Sequence, residues 1–254
     1  MGNEAGEWIL YGVDETDSEC IHTVDEAIAY INEIGFLPLF KNDIPGFSLE
    51  ERTVSKYWWS GDPTKDPWEW RTIIAGRGEI AYGKFFDKKA GFISKNWLPY
   101  FANFRRDGYD FDALYEDGKA SMRQKKIMSL FLEEKFDAEL FSFEIKEKAG
   151  FYKGGEKNFD GTMTDLEMKI YLCVKDFGRK KNKKGQEYGW AVSMYATPEH
   201  VFGHELVTMA YKEEPAESAK RILNHIEDIY PIATLEQIGK SILGLRGKEL
   251  KKLK

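Results

Sequence analysis

The sequence predicts a mainly α-helical α+β fold in which short β-hairpins accompany the helices. Two observations lead to this class. Apolar residues recur at helical spacing in several segments that begin with capping residues, and short segments rich in aromatic and β-branched residues flank polar turns. The chain has 254 residues, of which 42% are hydrophobic, which is enough for one large domain or two to three small ones with a packed core.

The sequence predicts a first winged-helix-like module over residues 22–110. A strand pair is expected between residues 80 and 93, and a helix from Ser94 carries Arg105 and Arg106 at its C-terminal end, where the helix dipole favours cations. Three earlier helices are predicted from capping residues; they begin at Thr23, Ser48 (ending near Trp59) and Asp66.

The sequence predicts a second module over residues 111–198. After an acidic loop over residues 107–117, the pattern predicts helices at 118–133, from Ser142 and at 164–177, and then a hairpin that ends near Tyr195. Three helices followed by a hairpin is the order of a winged helix. We therefore expect tandem winged-helix modules, flanked by an acidic N-terminal extension (1–21) and by a C-terminal helical segment with a basic tail (199–254).

The net charge of −6 hides an uneven distribution. Residues 1–40 contain nine acidic side chains and no lysine or arginine, so the remainder holds 34 acidic and 37 basic side chains and carries a net charge of +3. A mildly basic body is compatible with binding to a polyanion.

The predicted second hairpin carries five cations within six residues. A solvated turn is one interpretation, because Asn-Lys-Lys-Gly also suits a hairpin. Like charges this close repel one another unless a polyanion neutralises them, which favours contact with phosphates. The predicted phosphate-binding residues are Arg179, Lys180, Lys181, Lys183 and Lys184, joined by Lys153 and Lys157 in a Gly-rich loop whose glycines equally suit a simple turn.

Other features of the sequence point to ordinary structural roles. Cys20 and Cys173 have no metal-like spacing, which together with the lack of a secretory signal predicts a reducing, cytoplasmic location. His200 and His204 lack a third ligand at motif spacing, so neither a metal nor an organic cofactor is expected. No apolar run is long enough to span a membrane. Five aromatic residues, Tyr57, Trp58, Trp59, Trp68 and Trp70, are able to stack on extruded bases, although core packing explains their helical spacing better.

Two segments of the chain resemble a known family. Tyr82 to Ile93, followed by Trp97-Leu98-Pro99 and Arg105-Arg106, is similar to the F-E-Y-W-x-H-E-A-x-L-L-P signature of the bacterial AlkZ/YcaQ-type DNA glycosylases and to its downstream arginine. The segment from Lys157 to Tyr195 is similar to the second winged helix of that family. The resemblance covers about residues 22–200 and implies a DNA-repair context, with duplex DNA as partner and Arg105 and Arg106 as DNA contacts.

The resemblance does not extend to the catalytic motif of the family. Family glycosylases carry Gln-hydrophobic-Gln or Gln-hydrophobic-Asp after the first helix, where this chain has Leu37-Pro38-Leu39-Phe40. Asp43 is the nearest acid without a capping role and is a weak candidate for activating water. Three functions stay open: a DNA-binding protein without chemistry, a divergent glycosylase acting on alkylated bases, and a protein-binding scaffold. The oligomeric state is not predictable from these patterns.

Overall fold

The computed structural model describes residues 9–133, 139–181 and 184–253. In the first half the elements are α1 (Val24–Ile34), β1 (Phe36–Pro38), two 3-10 turns (Glu50–Arg52 and Ser55–Tyr57), α2 (Pro67–Arg77), β2 (Ile80–Phe86), β3 (Lys89–Ser94), α3 (Leu98–Arg106) and α4 (Phe111–Glu116). The second half contains α5 (Met122–Leu132), β4 (Leu140–Phe141), α6 (Ser142–Lys148), α7 (Phe159–Met168), β5 (Cys173–Lys181) and β6 (Glu187–Ala196). The C-terminal part contains α8 (Pro198–Phe202), α9 (His204–Val207), a 3-10 turn (Met209–Lys212), α10 (Pro215–Ile229), α11 (Leu235–Ile238), a π-helical turn (Gly239–Leu243) and α12 (Gly247–Lys251).

The strands form a single antiparallel sheet in the order β1-β3-β2-β5-β6-β4. β2 and β3 form a hairpin whose turn residues Asp87 and Lys88 both have positive φ, as a tight two-residue hairpin turn requires. The pairing of Tyr82 on β2 with Val174 on β5 joins the two halves of the chain. The fold is therefore mixed α+β, as the sequence predicts.

The two halves repeat one arrangement of elements. Each half has a helix, a short strand, further helices or 3-10 turns and then a hairpin, and its short strand pairs with the second strand of that hairpin. Counted inward from either edge, the sheet therefore has the short strand first, then the second hairpin strand and then the first hairpin strand. α2 and α7, which precede the two hairpins, each pack across the junction: α2 contacts β5, and α7 contacts β2.

A continuous hydrophobic core lies on and around this sheet. In the first half it is aromatic: the Phe36 ring packs edge-to-face on Phe101 at 4.8 Å between ring centroids and also contacts Phe86 and Phe47. Gly91 on β3 allows this packing, because a Cβ there would lie 2.4 Å from the Phe86 ring and 2.8 Å from the carbonyl oxygen of Leu37. Three of the predicted helix starts are confirmed: Thr23 and Asp66 act as N-caps, and α6 begins at Ser142.

The predicted helix over residues 164–177 is wrong at both ends, because α7 begins at Phe159 and has Thr164 in its interior. α7 ends at Met168, Ile170 takes a positive φ of 60°, and the chain continues as strand β5 from Cys173. Cys173 and Val174 point to opposite faces of the sheet and are both buried, so the apolar run at the start of β5 gives the same pattern as a buried helix. Periodicity alone therefore could not place this boundary.

Three further predictions about elements are wrong. The pair of hydrogen bonds between Ser48 and Glu51 forms, but the segment 48–59 makes two 3-10 turns instead of one helix. The backbone N–H groups of residues 49 and 50 donate to the carbonyls of Pro38 and Leu39, and Thr53 is extended, which stops the helix. The segment expected to be an acidic loop contains α4, because Asp110 caps it by accepting from the backbone N–H of Ala113. The helix expected from Ser94 begins at Leu98.

The acidic N-terminal segment docks on the 3-10 turns. The backbone N–H of Tyr11 donates to the Glu50 carboxylate at 2.8 Å, and Lys56 forms an ion pair with Glu15. This segment thus neutralises cations of the first half. Among the described residues, no helix combines the length and apolar character needed to cross a lipid bilayer.

Candidate nucleic-acid interface

The β5–β6 hairpin extends beyond its neighbouring strands. β2 is paired with β5 at Val174, and β4 is paired with β6 at Met194 and Tyr195, close to the base of the hairpin. The outer registers, Lys180 with Tyr188 and Lys181 with Glu187, belong to the hairpin alone. Gly185, with a φ of +77°, lies in the turn; Asn182 and Lys183 lie outside the described residues.

The described cations of this hairpin lie on its surface. Arg179 and Lys184 are exposed, and Lys180 is half-buried, with its ammonium 4.7 Å from the ring centroid of Phe143 in a cation–π contact. The guanidinium of Arg179 has no hydrogen-bond or ion-pair partner among the described residues. The side chain of Lys181 and the whole of Lys183 lie outside the described part of the chain.

The loop before α7 carries Lys153 and Lys157, both exposed. It is tied to α5: Lys126 forms an ion pair with Glu156 at 2.7 Å, and Arg123 donates to the carbonyl of Lys157. Within the described ranges, no hydrogen bond or ion pair joins this loop to the β5–β6 hairpin.

Arg106 is buried and Arg105 is half-buried, and the Nε atoms of both guanidinium groups are inaccessible to solvent. The Arg105 guanidinium donates to the carbonyls of Met168 and Ile242, the C-terminal part of α7 and the π-helical turn, and burial lowers its pKa to about 9. Arg106 is 4% exposed and donates to the Glu199 carboxylate, the carbonyl of Ile170 and the hydroxyl of Tyr211. Both guanidinium groups are thus committed to contacts that hold helices together.

A cavity of about 870 Å³ opens between the N-terminal turn of α2 and the base of the β5–β6 hairpin. Its volume is in the range of small-molecule sites. Aromatic and charged side chains from both halves of the chain line it, and those that define its chemistry are Trp59, Trp68, Glu69, Arg71, Phe177 and Arg179.

Asp66 fixes the loop that forms one wall of this cavity. Its buried carboxylate accepts hydrogen bonds from the backbone N–H groups of Trp59 (3.1 Å), Gly61 (2.8 Å) and Trp68 (2.9 Å). The first bond holds Trp59 in a left-handed conformation with a φ of 61°, which is unfavourable for a bulky residue. The Trp59 side chain remains 44% exposed at the cavity mouth.

Arg71 lies at the back of the cavity between two aromatic rings. Its guanidinium carbon is 3.7 Å from the ring centroid of Trp68 and 4.4 Å from that of Phe177. Arg71 is 8% exposed, its Nε has no hydrogen-bond partner, and burial lowers its pKa. The half-buried carboxylate of Glu69 lines the same cavity and has no hydrogen-bond or ion-pair partner among the described residues.

Glu167 links the two halves beneath the hairpin. Its Oε2 accepts a hydrogen bond from the backbone N–H of Lys84 on β2 at 2.8 Å, and the Tyr195 hydroxyl donates to its Oε1 at 3.5 Å. Burial of the carboxyl raises its pKa to about 7.

A family model described as AlkZ related matches residues 21–243. The chain belongs to the AlkZ-related family. The sequence resemblance is thereby confirmed at the level of the family. None of the curated proteins matches the chain.

One solved structure is similar to this AlkZ-related chain, the Streptomyces sahachiroi DNA glycosylase AlkZ. The TM-score is 0.52 at 12% sequence identity, and the match covers 93% of this chain and 60% of that one. This chain therefore spans about three fifths of the length of that glycosylase. The similarity supports a shared fold.

The segment that aligns with the catalytic motif is apolar core in this AlkZ-related protein. Leu37 and Leu39 are fully buried, and the Pro38 carbonyl accepts from the backbone N–H of Leu49. Asp43 is exposed near this segment, where its carboxylate forms an ion pair with Lys240 and its backbone carbonyl accepts from Gln237. Asp43 is therefore held in a surface ion pair, away from the cavity.

Sequence reasoning missed Arg71, Phe177 and Glu69 as cavity residues. Arg71 and Phe177 belong to different halves and meet because β2 pairs with β5, which no local pattern encodes. The one available signal was the Asp66-Pro67 cap, which fixes the position of Trp68 at the start of α2. Within the described part of the chain, no cluster of three His, Cys, Asp or Glu residues is suited to hold a metal ion. The His200 imidazole lies 3.2 Å from the Glu139 carboxylate.

Proposed function

We propose that this AlkZ-related protein binds duplex DNA, with the β5–β6 hairpin acting as the wing of a winged helix. The order α5–β4–α6–α7–β5–β6, with β4 paired to β6, supports this interpretation of the second half. The same order in the first half supports a tandem pair, with domain limits near residues 110 and 198. The family resemblance supports a role in DNA repair.

The observation that carries the proposal is the concentration of cations on a hairpin that extends past its neighbouring strands. Residues 179–184 contain five cations. Arg179 and Lys184 are exposed there, and no carboxylate pairs with the Arg179 guanidinium among the described residues. Such close like charges repel one another in the free protein, and DNA phosphates would remove that repulsion while releasing condensed counterions.

The proposed DNA-binding surface includes only some of the other predicted phosphate contacts. Lys153 and Lys157 are retained as secondary candidates, because they are exposed on the loop that precedes α7. Arg105 and Arg106 are left out, because their guanidinium groups are engaged with backbone carbonyls inside the protein.

The test replaces Lys180, Lys181, Lys183 and Lys184 together with alanine. Each phosphate contact contributes about −0.9 to the slope of log affinity against log salt, so the slope should become shallower by about three units. Fluorescence anisotropy with a labelled duplex at several salt concentrations measures it. Binding should weaken similarly on unrelated sequences, because phosphate contacts carry no base information.

The matched control replaces four exposed lysines elsewhere with alanine, namely Lys212, Lys248, Lys251 and Lys252. This control changes the net charge equally, so its salt slope should remain close to that of the wild type. Equal slopes for the hairpin variant and the wild type would reject the proposal. A failure of the wild-type protein to bind duplex at low salt would reject it as well, and would leave the protein-binding scaffold as the better interpretation.

A further inference from the structure

The geometry points to a binding site for one unpaired nucleotide in the cavity between α2 and the β5–β6 hairpin. This inference deepens the proposed function, on which it rests for the nature of the ligand. The cavity lies directly at the base of the hairpin, and Arg179 belongs to both features.

Three rings make the cavity suited to a flat aromatic ligand. Trp59, Trp68 and Phe177 line it, and the Trp59 and Trp68 ring centroids are 6.5 Å apart in an edge-to-face arrangement. The partly exposed Trp59 side chain at the mouth offers a surface for stacking. Bases of every type stack on such surfaces, since each base has a π-face.

The charged groups favour a nucleotide over an uncharged aromatic ligand. Arg179 at the rim has no partner among the described residues and would face the phosphate. At the back, the buried Arg71 has an unsatisfied Nε and lies against the Trp68 and Phe177 rings. The Glu69 carboxylate is an acceptor without a donor and suits the exocyclic amino group of cytosine, adenine or guanine.

Hydrogen bonds hold the backbone of the cavity wall in the conformation in which the Trp59 side chain is partly exposed. Trp59 keeps a positive φ because the Asp66 carboxylate accepts from its N–H and from that of Gly61. Strained backbone of this kind persists where the surrounding contacts determine it, and it is common at ligand sites. The cavity of about 870 Å³ has room for a nucleotide without moving either half.

The experiment compares a short duplex that has one unpaired cytosine with the fully paired duplex of the same flanking sequence. The wild type should bind the bulged duplex about fivefold or more tightly, the lower range for stacking of one base on an aromatic side chain. Trp59→Gly should abolish this preference and leave affinity for the paired duplex unchanged. Glycine tolerates the positive φ, so thermal unfolding should show an intact or stabilised fold.

Two further variants complete the comparison. Phe177→Leu removes a second ring and should reduce the preference as well. Tyr11→Ala removes an aromatic side chain of similar exposure (45%) on the docked N-terminal segment and should change neither affinity. A bulge preference that survives in Trp59→Gly overturns the inference.

A second readout separates this inference from the proposed function. A short single-stranded cytosine oligonucleotide should quench the tryptophan fluorescence of the wild type and not that of Trp59→Gly. If both duplexes bind equally and this quenching is absent, the nucleotide site is overturned while the proposed function stands. If neither duplex binds and the Trp59-dependent quenching persists, the proposed function fails and the nucleotide site stands. If neither duplex binds and the quenching is also absent, the proposed function and the nucleotide site are both rejected.

Discussion

At the scale of single residues, Glu167 shows how a buried carboxyl joins two halves of a chain. It accepts from the Lys84 backbone and from Tyr195, and at 1% exposure it has no access to water. Burial raises its pKa to about 7, from an ordinary value of 4.5. The folded protein therefore favours the protonated form, so the stabilising contribution is complete below about pH 4.5 and is lost as the pH rises through 7.

We expect Glu167→Gln to remove this dependence on pH. Glutamine keeps an acceptor for the Lys84 N–H and carries no charge to bury. The Tm difference between the variant and the wild type should increase from pH 4.5 to pH 8, with a limiting gain of about 3 kcal/mol in the free energy of unfolding. Thermal unfolding followed by circular dichroism measures it.

The matched control for this prediction is Asp165→Asn, an exposed carboxyl on the same helix. Its Tm difference should be small, because the substitution lies on the exposed face of the helix. A Tm difference for Glu167→Gln that stays constant with pH would mean that the carboxyl is not held in its protonated form by burial.

At the scale of elements, Arg106 joins α3 to three other segments. It is almost fully buried and donates to Glu199 on α8, to Tyr211 and to the carbonyl of Ile170, the residue with positive φ between α7 and β5. We expect Arg106→Met to lower the free energy of unfolding by about 3 kcal/mol, because it leaves buried polar groups without partners. The salt slope of DNA binding should not change. Urea unfolding and the duplex titration together measure both effects.

Arg221→Met serves as the control for that prediction, because Arg221 forms an exposed ion pair with Glu213. Its effect on the free energy of unfolding should be under about 1 kcal/mol. A shallower salt slope for Arg106→Met with unchanged stability would return Arg106 to the set of phosphate contacts that the family resemblance implied.

The elements also show what local sequence could and could not determine. Helices that begin with a strong cap, such as those after Thr23 and Asp66, were predicted correctly because the cap and the apolar face agree. The boundary between α7 and β5 was not predicted correctly, because apolar residues such as Cys173 and Val174 suit a buried helix and a buried strand equally well. The cluster of cations at residues 179–184 is visible in the sequence itself, and its contact with phosphates stays a prediction. The cavity was not predicted, because its aromatic rings come from three separate segments: α2, the loop before it and β5.

At the scale of the whole molecule, the continuous sheet predicts that the two halves unfold together. Separating them would expose the edges of β2 and β5 and the core around Tyr82 and Val174. We expect one calorimetric transition in which the calorimetric and van't Hoff enthalpies agree. Two resolved transitions, or a stable and cooperatively folded fragment 22–110, would contradict this expectation.

The antiparallel junction between β2 and β5 has a geometric consequence. Since the two strands run in opposite directions from the Tyr82–Val174 pair, their hairpins leave the sheet at opposite ends. At about 3.4 Å per residue, the two tips are roughly 40 Å apart. One tip carries the five cations of residues 179–184, whereas the other is the short Asp87-Lys88 turn. The cation-rich tip and the Asp87-Lys88 turn therefore lie at opposite ends of the molecule, so immobilising the protein through position 88 would leave the cation-rich tip accessible to solution.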